Sequence, residues 1–434
     1  MPLDADIFAP GFKETPYWWE AAPRPRREAP PVPAKTDVAV VGSGYTGLSA
    51  ALHLARGGRE VTVFEAGEPG YGASSRNAGY VGRTLKHSLG SLIEGMGAER
   101  AKAFYREARA AYDHVRELIE REKIECHLAR CGRFMAALSP KHYEAMARDM
   151  ELKRRHLGDD SEMIPAGATR RELGSDLYQG GALIPDMSSV HPGLYHLGLL
   201  ERAETAGATV LPHTAVTGVR RDGAGFVVET PRGRTIAREV VVATNGYTGR
   251  ESPYLRRRLI PFHAFMVATE ELPKALVDAL IPASRTCHDY NNNLFYFRRA
   301  PDSNRILLGG RSGGPTRDLR AKARVLHRAL GRILPDLKQT KLSHVWTGQC
   351  AATFDEWPHI GQQDGMHYAA GYCFAGLPMG TWFGQKIARR ILGTQEGGTV
   401  FDELPFQTRP YYSGWPWFRP LVVAQFDWQD WRGR

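Results

Sequence analysis

Gly42, Gly44 and Gly47 stand as G-x-G-x-x-G between an apolar run, DVAVVG, and a helical one, YTGLSAALHLARGG; a second apolar run, EVTVFEAG, carries Glu65 and Ala66 at its end. Each position has a physical task. Gly42 permits a tight turn, Gly44 lets backbone approach a pyrophosphate, and Gly47 lets the helix press against the strand. Ser43, Tyr45 and Thr46 fill the remaining positions at a helix N-terminus, which favours phosphate charge. Glu65 offers a carboxylate to the adenosine ribose hydroxyls. A glycine triplet alone would read equally well as a structural turn; with two strands, a helix and the terminal acid it specifies a dinucleotide-binding βαβ unit.

That fingerprint does not separate FAD from NAD. The stretch GYGASSRNAGYVG, 70–82, does: where a nicotinamide enzyme would begin another ordinary helix, it presents Ser74, Ser75, Arg76, Asn77, Ala78 and Gly79. Their small side chains, hydroxyls and amides can wrap a flavin. VVVATNGYT brings Ala243, Thr244, Asn245 and Gly246 to the end of a late buried strand, suited to lie over the dinucleotide, and Val216 is grouped with these as a cofactor contact. Cys350, inside VWTGQCAATFDEWPHIG, is either a small buried hydrophobe or a covalent handle for the flavin.

The elements that must position these residues follow from periodicity. Helices are expected at 94–123, 140–157, after His191, at KARVLHRALGRIL and at PMGTWFGQKIARRIL. GFVVETPRGRTIAREVVVATNG and LFYFRRAPDSNRILLGGR read as hairpins, the second turning at Pro301-Asp302-Ser303-Asn304. Residues 1–36 are Pro-rich and read as an extended arm pinned by Tyr17, Trp18 and Trp19; the last 30 residues are rich in aromatics and proline. A chain of 434 residues exceeds one small core and suggests two connected domains. The formal charge of +10 comes from scattered basic residues without an RNA-binding aromatic motif, so it reads as solvated surface or attraction for acidic small molecules, not nucleic acid. No apolar run is long enough for a membrane span and no signal core opens the chain. Five cysteines without a CxxC pair fit a reduced, cytoplasmic setting and no metal site.

The pieces YTGLSAALHLA, GASSRNAG, ATNGYT, IPFHAFMVATEEL, LFYFRR, RILLGGR, WTGQCAATFDEWPHIG, GTWFGQKIA and YYSGWPWFRPLVV span nearly the whole chain. In them it resembles the D-amino acid oxidase-like FAD-dependent oxidoreductases, and within that group the γ-glutamylputrescine oxidase branch, related to sarcosine and glycine oxidases. The resemblance implies an α/β and α+β fold: a Rossmann-like FAD domain from discontinuous segments, placed at 37–90, 175–250 and 345–400, and a substrate domain with a large mixed sheet, at 91–174 and 251–344. The arm 1–36 and the tail 401–434 lie outside both.

It also implies a reaction, oxidation of a C–N bond in a small secondary or γ-glutamylated amine or N-substituted amino acid. Hydride would pass to flavin N5, the imine would hydrolyse, and O2 would be reduced to hydrogen peroxide. An amine or amino-acid dehydrogenase using another acceptor is the alternative; a tRNA-modifying flavoprotein and a nicotinamide dehydrogenase are further readings. Gly376, Gly380 and Thr381, in FAGLPMGT, fall where the family contacts flavin N1 and O2. His263, His288, Tyr290, Tyr296, Arg311 and Trp346 are the pocket candidates, with Arg298 beside them. Tyrosines at strand spacing are more often packing, and the plain reading of Arg311 is a surface ion pair. Cys350 matches the cysteine that sarcosine oxidases bond to the flavin 8-methyl carbon; non-covalent FAD is the favoured expectation, with His359 or an arginine the groups that would lower the thiol pKa if the bond forms. Two lysines of the sarcosine oxidase pattern are replaced, near Pro378 and Leu307, which disfavours a sarcosine-sized substrate and opens the question of oxygen reactivity. Oligomeric state is not legible.

Overall fold

Val38, Ala39, Val40 and Val63 are wholly buried, because strands Lys35–Val41 and Val61–Phe64 run parallel in the middle of a sheet. Parallel sheets are covered on both faces, so their strands read as unbroken apolar runs. The computed structural model describes residues 7–433, with the side chain of Arg311 outside the description. Thr209–Leu211 extends this sheet on one side and Gly233–Val242 on the other, both parallel to their neighbours. Met366–Ala370 pairs parallel with Val241 and Val242, and Gly218–Asp222, Gly225–Thr230 and His359–Gln363 add antiparallel strands. Helix Tyr45–Arg56 packs against helices Pro192–Thr205 and Gly376–Ile391. A Cβ on Gly384 would overlap the Thr46 carbonyl oxygen and lie 2.7 Å from Ser49 Cβ, so two helix backbones touch there.

A second, nine-stranded sheet runs in the order Phe8–Lys13, Leu342–Ala352, Ile260–Thr269, Ile306–Gly313, Phe295–Arg299, Thr286–Asp289, Arg133–Ala136, Gly181–Ile184, Glu162–Ile164. The hairpin expected at 301–304 is present, with Arg299 opposite Ile306. Phe265, Val267, Phe297, Leu308 and Val345 on one face pack under helix Leu319–Ile333, whose Ala323, Leu326, Leu330 and Ile333 recur at helical spacing. Side chains alternate along a strand, so their neighbours Met266, Tyr296 and Trp346 emerge on the opposite face.

Several expectations shift. The helix expected over 94–123 is broken at Gly97, φ +84°, into Leu89–Met96 and Ala98–Glu122. Gly181–Ile184 and Leu342–Ala352 fall largely within the segments assigned to the dinucleotide half, yet both hydrogen-bond into the nine-stranded sheet. A short apolar strand carries no mark of which sheet it joins; its pairing partner decides. The arm contributes an edge strand, Phe8–Lys13, parallel to Leu342–Ala352. Beyond it Trp18 is fully buried, 4.8 Å from the His191 ring, and Tyr17 donates a 2.6 Å hydrogen bond to Asp302. The aromatic tail ends in helix Arg419–Arg432, where Asp430 accepts from the Asn292 amide nitrogen (2.7 Å) and the Asn293 amide nitrogen (3.1 Å). No helix among the described residues is long and apolar enough to cross a membrane.

Burial drives several histidines below their ordinary range: His53, His288 and His367 to about 4, His114 and His196 to about 3. A histidine whose folded pKa lies below the unfolded value of about 6.5 stays neutral in the fold and gains a proton on unfolding. Its contribution is complete above about pH 6.5 and is lost as pH falls through that window. The melting temperature is therefore expected to drop between about pH 6.5 and 4, each such histidine adding a slope of up to about 1.4 kcal/mol per pH unit. A melting temperature flat across that range contradicts the account.

Candidate active site

The turn at Gly42 has φ +101°, a conformation open to glycine, and a Cβ there would lie 3.0 Å from the Ala243 carbonyl oxygen. A Cβ on Gly47 would overlap the Gly42 carbonyl oxygen. Gly44 leaves the helix without a side-chain cap; Tyr45 N donates to Ser74 Oγ at 3.1 Å, and the first turn opens into a cavity of about 920 Å³. Glu65 lines the same cavity. Its Oε2 accepts from Ser43 N (3.0 Å) and Ser43 Oγ (2.6 Å), and its Oε1 from Gly67 N (3.0 Å). Behind the turn, His196 Nε2–H donates to Ser43 O (2.8 Å) while Arg24 donates to Nδ1 (3.2 Å), which assigns the neutral tautomer that burial favours.

From this cradle the cavity runs beneath the nine-stranded sheet. Met135 pairs with His288, His288 with Tyr296, Tyr296 with Gly309, and Gly309 with Met266, placing one row of residues across the roof. Gly309 is required there: a Cβ would overlap the Tyr296 ring. His288 Nδ1–H donates to the Asp289 carbonyl (2.8 Å), leaving Nε2 as an acceptor; burial first, then the nearby Arg133 charge, hold its pKa at about 4. Burial raises the Tyr296 phenol, so it stays protonated. Tyr80 stands edge-on to Tyr296 at 6.2 Å, its hydroxyl donating to the carbonyls of Cys287 and Phe297, both at 2.8 Å.

Among the expected residues, Gly42, Ser43, Gly44, Tyr45, Thr46, Glu65, Ala66, Ser74, Arg76, Asn77, Ala78, Val216, Ala243, Thr244, Asn245, Cys350 and Gly376 line this one cavity, together with His288, Tyr290 and Tyr296. Others are placed elsewhere. Ser75 is fully buried and accepts from Trp19 Nε1 (2.8 Å). Gly79 admits no Cβ because the Val190 carbonyl lies against it. Gly246 packs beneath Cys350, whose carbonyl oxygen would lie 2.6 Å from an added Cβ. Thr381 is fully buried one turn inside its helix, donating to Leu377 O (2.9 Å), and Gly380 faces Thr46; the helix start, Gly376 to Pro378, is what reaches the cavity.

His263 sits one residue out of phase with the cavity-lining Ala264 and Met266, and its ring stacks on Phe265. Trp346 is buried, donating from Nε1 to Arg76 O (2.8 Å), and Arg298 donates to the carbonyls of Ala78 and Val190; both brace the cavity-lining loop at 76–78 from behind. Tyr290 lies at the distal end, 5.4 Å from the His142 ring. Arg311 falls in strand Ile306–Gly313, its side chain outside the described residues. Burial pushes the Cys350 thiol up to about 11; His359 is bound to Asp355 (3.1 Å) and stacked on Phe406. Sequence reasoning passed over Arg133 and Tyr372, which also line the cavity. The available signal for Arg133 was a charge inside an otherwise apolar strand, GRFMAAL.

The cradle and the roofed cavity define a dinucleotide-binding protein with space for a second molecule. The family described as FAD dependent oxidoreductase (DAO) matches residues 37–390, and the chain belongs to it. It is 32% identical over 376 residues to the gamma-glutamylputrescine oxidoreductase of Escherichia coli (strain K12), covering 86% of this chain and 88% of that protein. It is 27% identical over 382 residues to the glycine oxidase of Geobacillus kaustophilus (strain HTA426), covering 85% and 96%. The solved structure of glycine oxidase from Geobacillus kaustophilus superposes with a TM-score of 0.72 at 24% identity, over 87% of this chain and all of that one; iminodiacetate oxidase from Chelativorans sp. BNC1 gives 0.69 at 21%, over 85% and 97%. The cofactor is therefore FAD, and the glycine cradle fits it: the uncapped helix start could hold the pyrophosphate and Glu65 the ribose. Glu65→Ala is expected to weaken FAD binding by about 1.5–3 kcal/mol per charged hydrogen bond lost, read as the FAD dissociation constant and as flavin content after gel filtration. Unchanged affinity removes Glu65 from the cofactor site.

Proposed function

We propose that this chain oxidises a C–N bond in a small secondary or γ-glutamylated amine, or in an N-substituted amino acid. The observation that carries the reading is one cavity, continuous from the dinucleotide cradle to a sheet face bearing neutral His288 and protonated Tyr296. Relatives named for gamma-glutamylputrescine and glycine support the amine class. Bound FAD supplies the hydride acceptor at flavin N5, with O2 as the final acceptor and hydrogen peroxide as product.

The chain's own residues select and orient. His288 Nε2 can accept a hydrogen bond from an amine N–H, because burial and the Arg133 charge hold its pKa at about 4 and leave that nitrogen unprotonated at neutral pH. Tyr80 and the Gly309 gap hold the Tyr296 ring against the roof. The helix start at Gly376 aims its positive end at the cavity, which favours negative charge gained by a group bound there.

Mixing purified holoenzyme anaerobically with a panel of secondary, γ-glutamylated and N-substituted amines is expected to bleach the flavin's visible band with at least one of them. Readmitting oxygen is expected to restore it with one peroxide per flavin. No bleaching across the panel removes the amine reading, and bleaching without peroxide assigns a dehydrogenase. FAD attachment is read as non-covalent because the Cys350 thiol stays protonated at neutral pH. Acid precipitation is expected to leave flavin in the supernatant and the polypeptide at its unmodified mass; a yellow pellet lost on Cys350→Ala overturns this.

A further inference from the structure

Among the described residues Arg133 is a buried cation without an anion. It is 6% exposed, lines the cavity, and among the described residues has no carboxylate partner. Its Nη1 donates to Thr84 Oγ1 at 3.3 Å, and its Nε has no hydrogen-bond partner among the described residues. The Tyr80 ring lies 5.1 Å beneath the guanidinium. The backbone makes room for it: a Cβ on Gly82 would lie 2.8 Å from Nη2 and 3.1 Å from Nη1. Buried arginines ordinarily meet a carboxylate, because a desolvated and unpaired charge is costly. The protein has instead cleared a glycine-sized space for a guanidinium and left its fork unfilled.

The strand register locates that fork in the site. Arg133 pairs with Thr286 and Met135 with His288, so Arg133 emerges two residues from Met135 on the same face of the sheet as the His288–Tyr296 row. Cys131, Cys287, Tyr80 and Tyr112 are the titratable groups around it, all neutral when protonated, and His288 is neutral as well. A planar guanidinium with free donors matches the two oxygens of a carboxylate.

We propose that Arg133 is the anion-binding residue of the site and that the substrate carries a carboxylate, held at Arg133 while its amine nitrogen lies beside His288. This rests on the C–N oxidation reading for the amine half only. The carboxylate half stands on the unpaired guanidinium.

The test uses FAD-loaded enzyme and two probes of equal shape, pentanoate and pentanamide, titrated against the flavin absorption spectrum. Wild type is expected to bind pentanoate at least tenfold more tightly than pentanamide. Arg133→Met is expected to abolish that preference with FAD content intact, and Arg133→Lys to keep part of it. Equal affinity for the two probes in wild type, or a preference that survives in Arg133→Met, overturns the proposal. If Arg133→Met loses its FAD, Arg133→Lys decides: an undiminished pentanoate preference there also overturns it, because lysine lacks the bidentate fork. Anaerobic bleaching by amino acids separates the two claims. Charge-selective probe binding without any bleaching retains the anion site while removing the amine chemistry.

Discussion

The contact between the Gly47 α-carbon and the Gly42 carbonyl oxygen sets how near the first helix comes to the first strand. Any side chain at Gly47 would push the helix outward and swing its amide-bearing first turn away from the cavity. The opposite side of the same helix is held by a second backbone contact, at Gly384. The helix is therefore clamped between a turn and another helix without intervening side chains. Glu65 and His196 then hold Ser43 from two directions. The cradle is a rigid object built from backbone, as a site for a pyrophosphate must be if its donors are not to reorganise on binding.

The roof follows another constraint, the period of two along strands. Each strand of the nine-stranded sheet buries one set of residues under helix Leu319–Ile333 and presents the other to the cavity. A one-residue shift in register would exchange Phe265 for Met266 and remove the surface facing the cavity. Gly309 shows how closely that surface is fitted, since its missing side chain is the space occupied by the Tyr296 ring. The arm adds support from behind, with Trp18 packed against Trp346, whose indole N–H fastens the loop at Arg76.

Electrostatically the described roof sets neutral side chains beside two buried guanidinium groups, Arg133 and Arg298, the latter bonded to the carbonyls of Ala78 and Val190. Burial suppresses protonation of His288 and ionisation of Tyr296, and Cys350 stays a thiol for the same reason. Around Arg133 the described residues offer cation–π contact and a hydroxyl but no carboxylate. A cavity of this kind discriminates by charge more sharply than a solvated one, because the low local dielectric strengthens the pairing it lacks.

Local chemistry was legible in the sequence wherever a residue type has a fixed backbone consequence. Gly42, Gly44 and Gly47 with Glu65 at the strand end mark a tight turn through spacing, and Ser74, Arg76, Asn77 and Ala78 reach the cavity while Ser75 turns away; the hairpins and most helices are marked by periodicity. Pocket membership was not legible, because it depends on phase and pairing between distant strands. His263 and Met266 are three residues apart, yet one stacks on Phe265 and the other faces the cavity. Trp346 and Arg298 look like site residues and are braces; Arg133 looks like a surface charge and lies inside. The strands Gly181–Ile184 and Leu342–Ala352 belong to the sheet that hydrogen-bonds them, a choice made by long-range pairing. Sequence by itself determined the cofactor cradle, since its constraints are steric and local. Only the tertiary structure decided which side chains line the cavity, since that rests on which faces of separate strands are brought together.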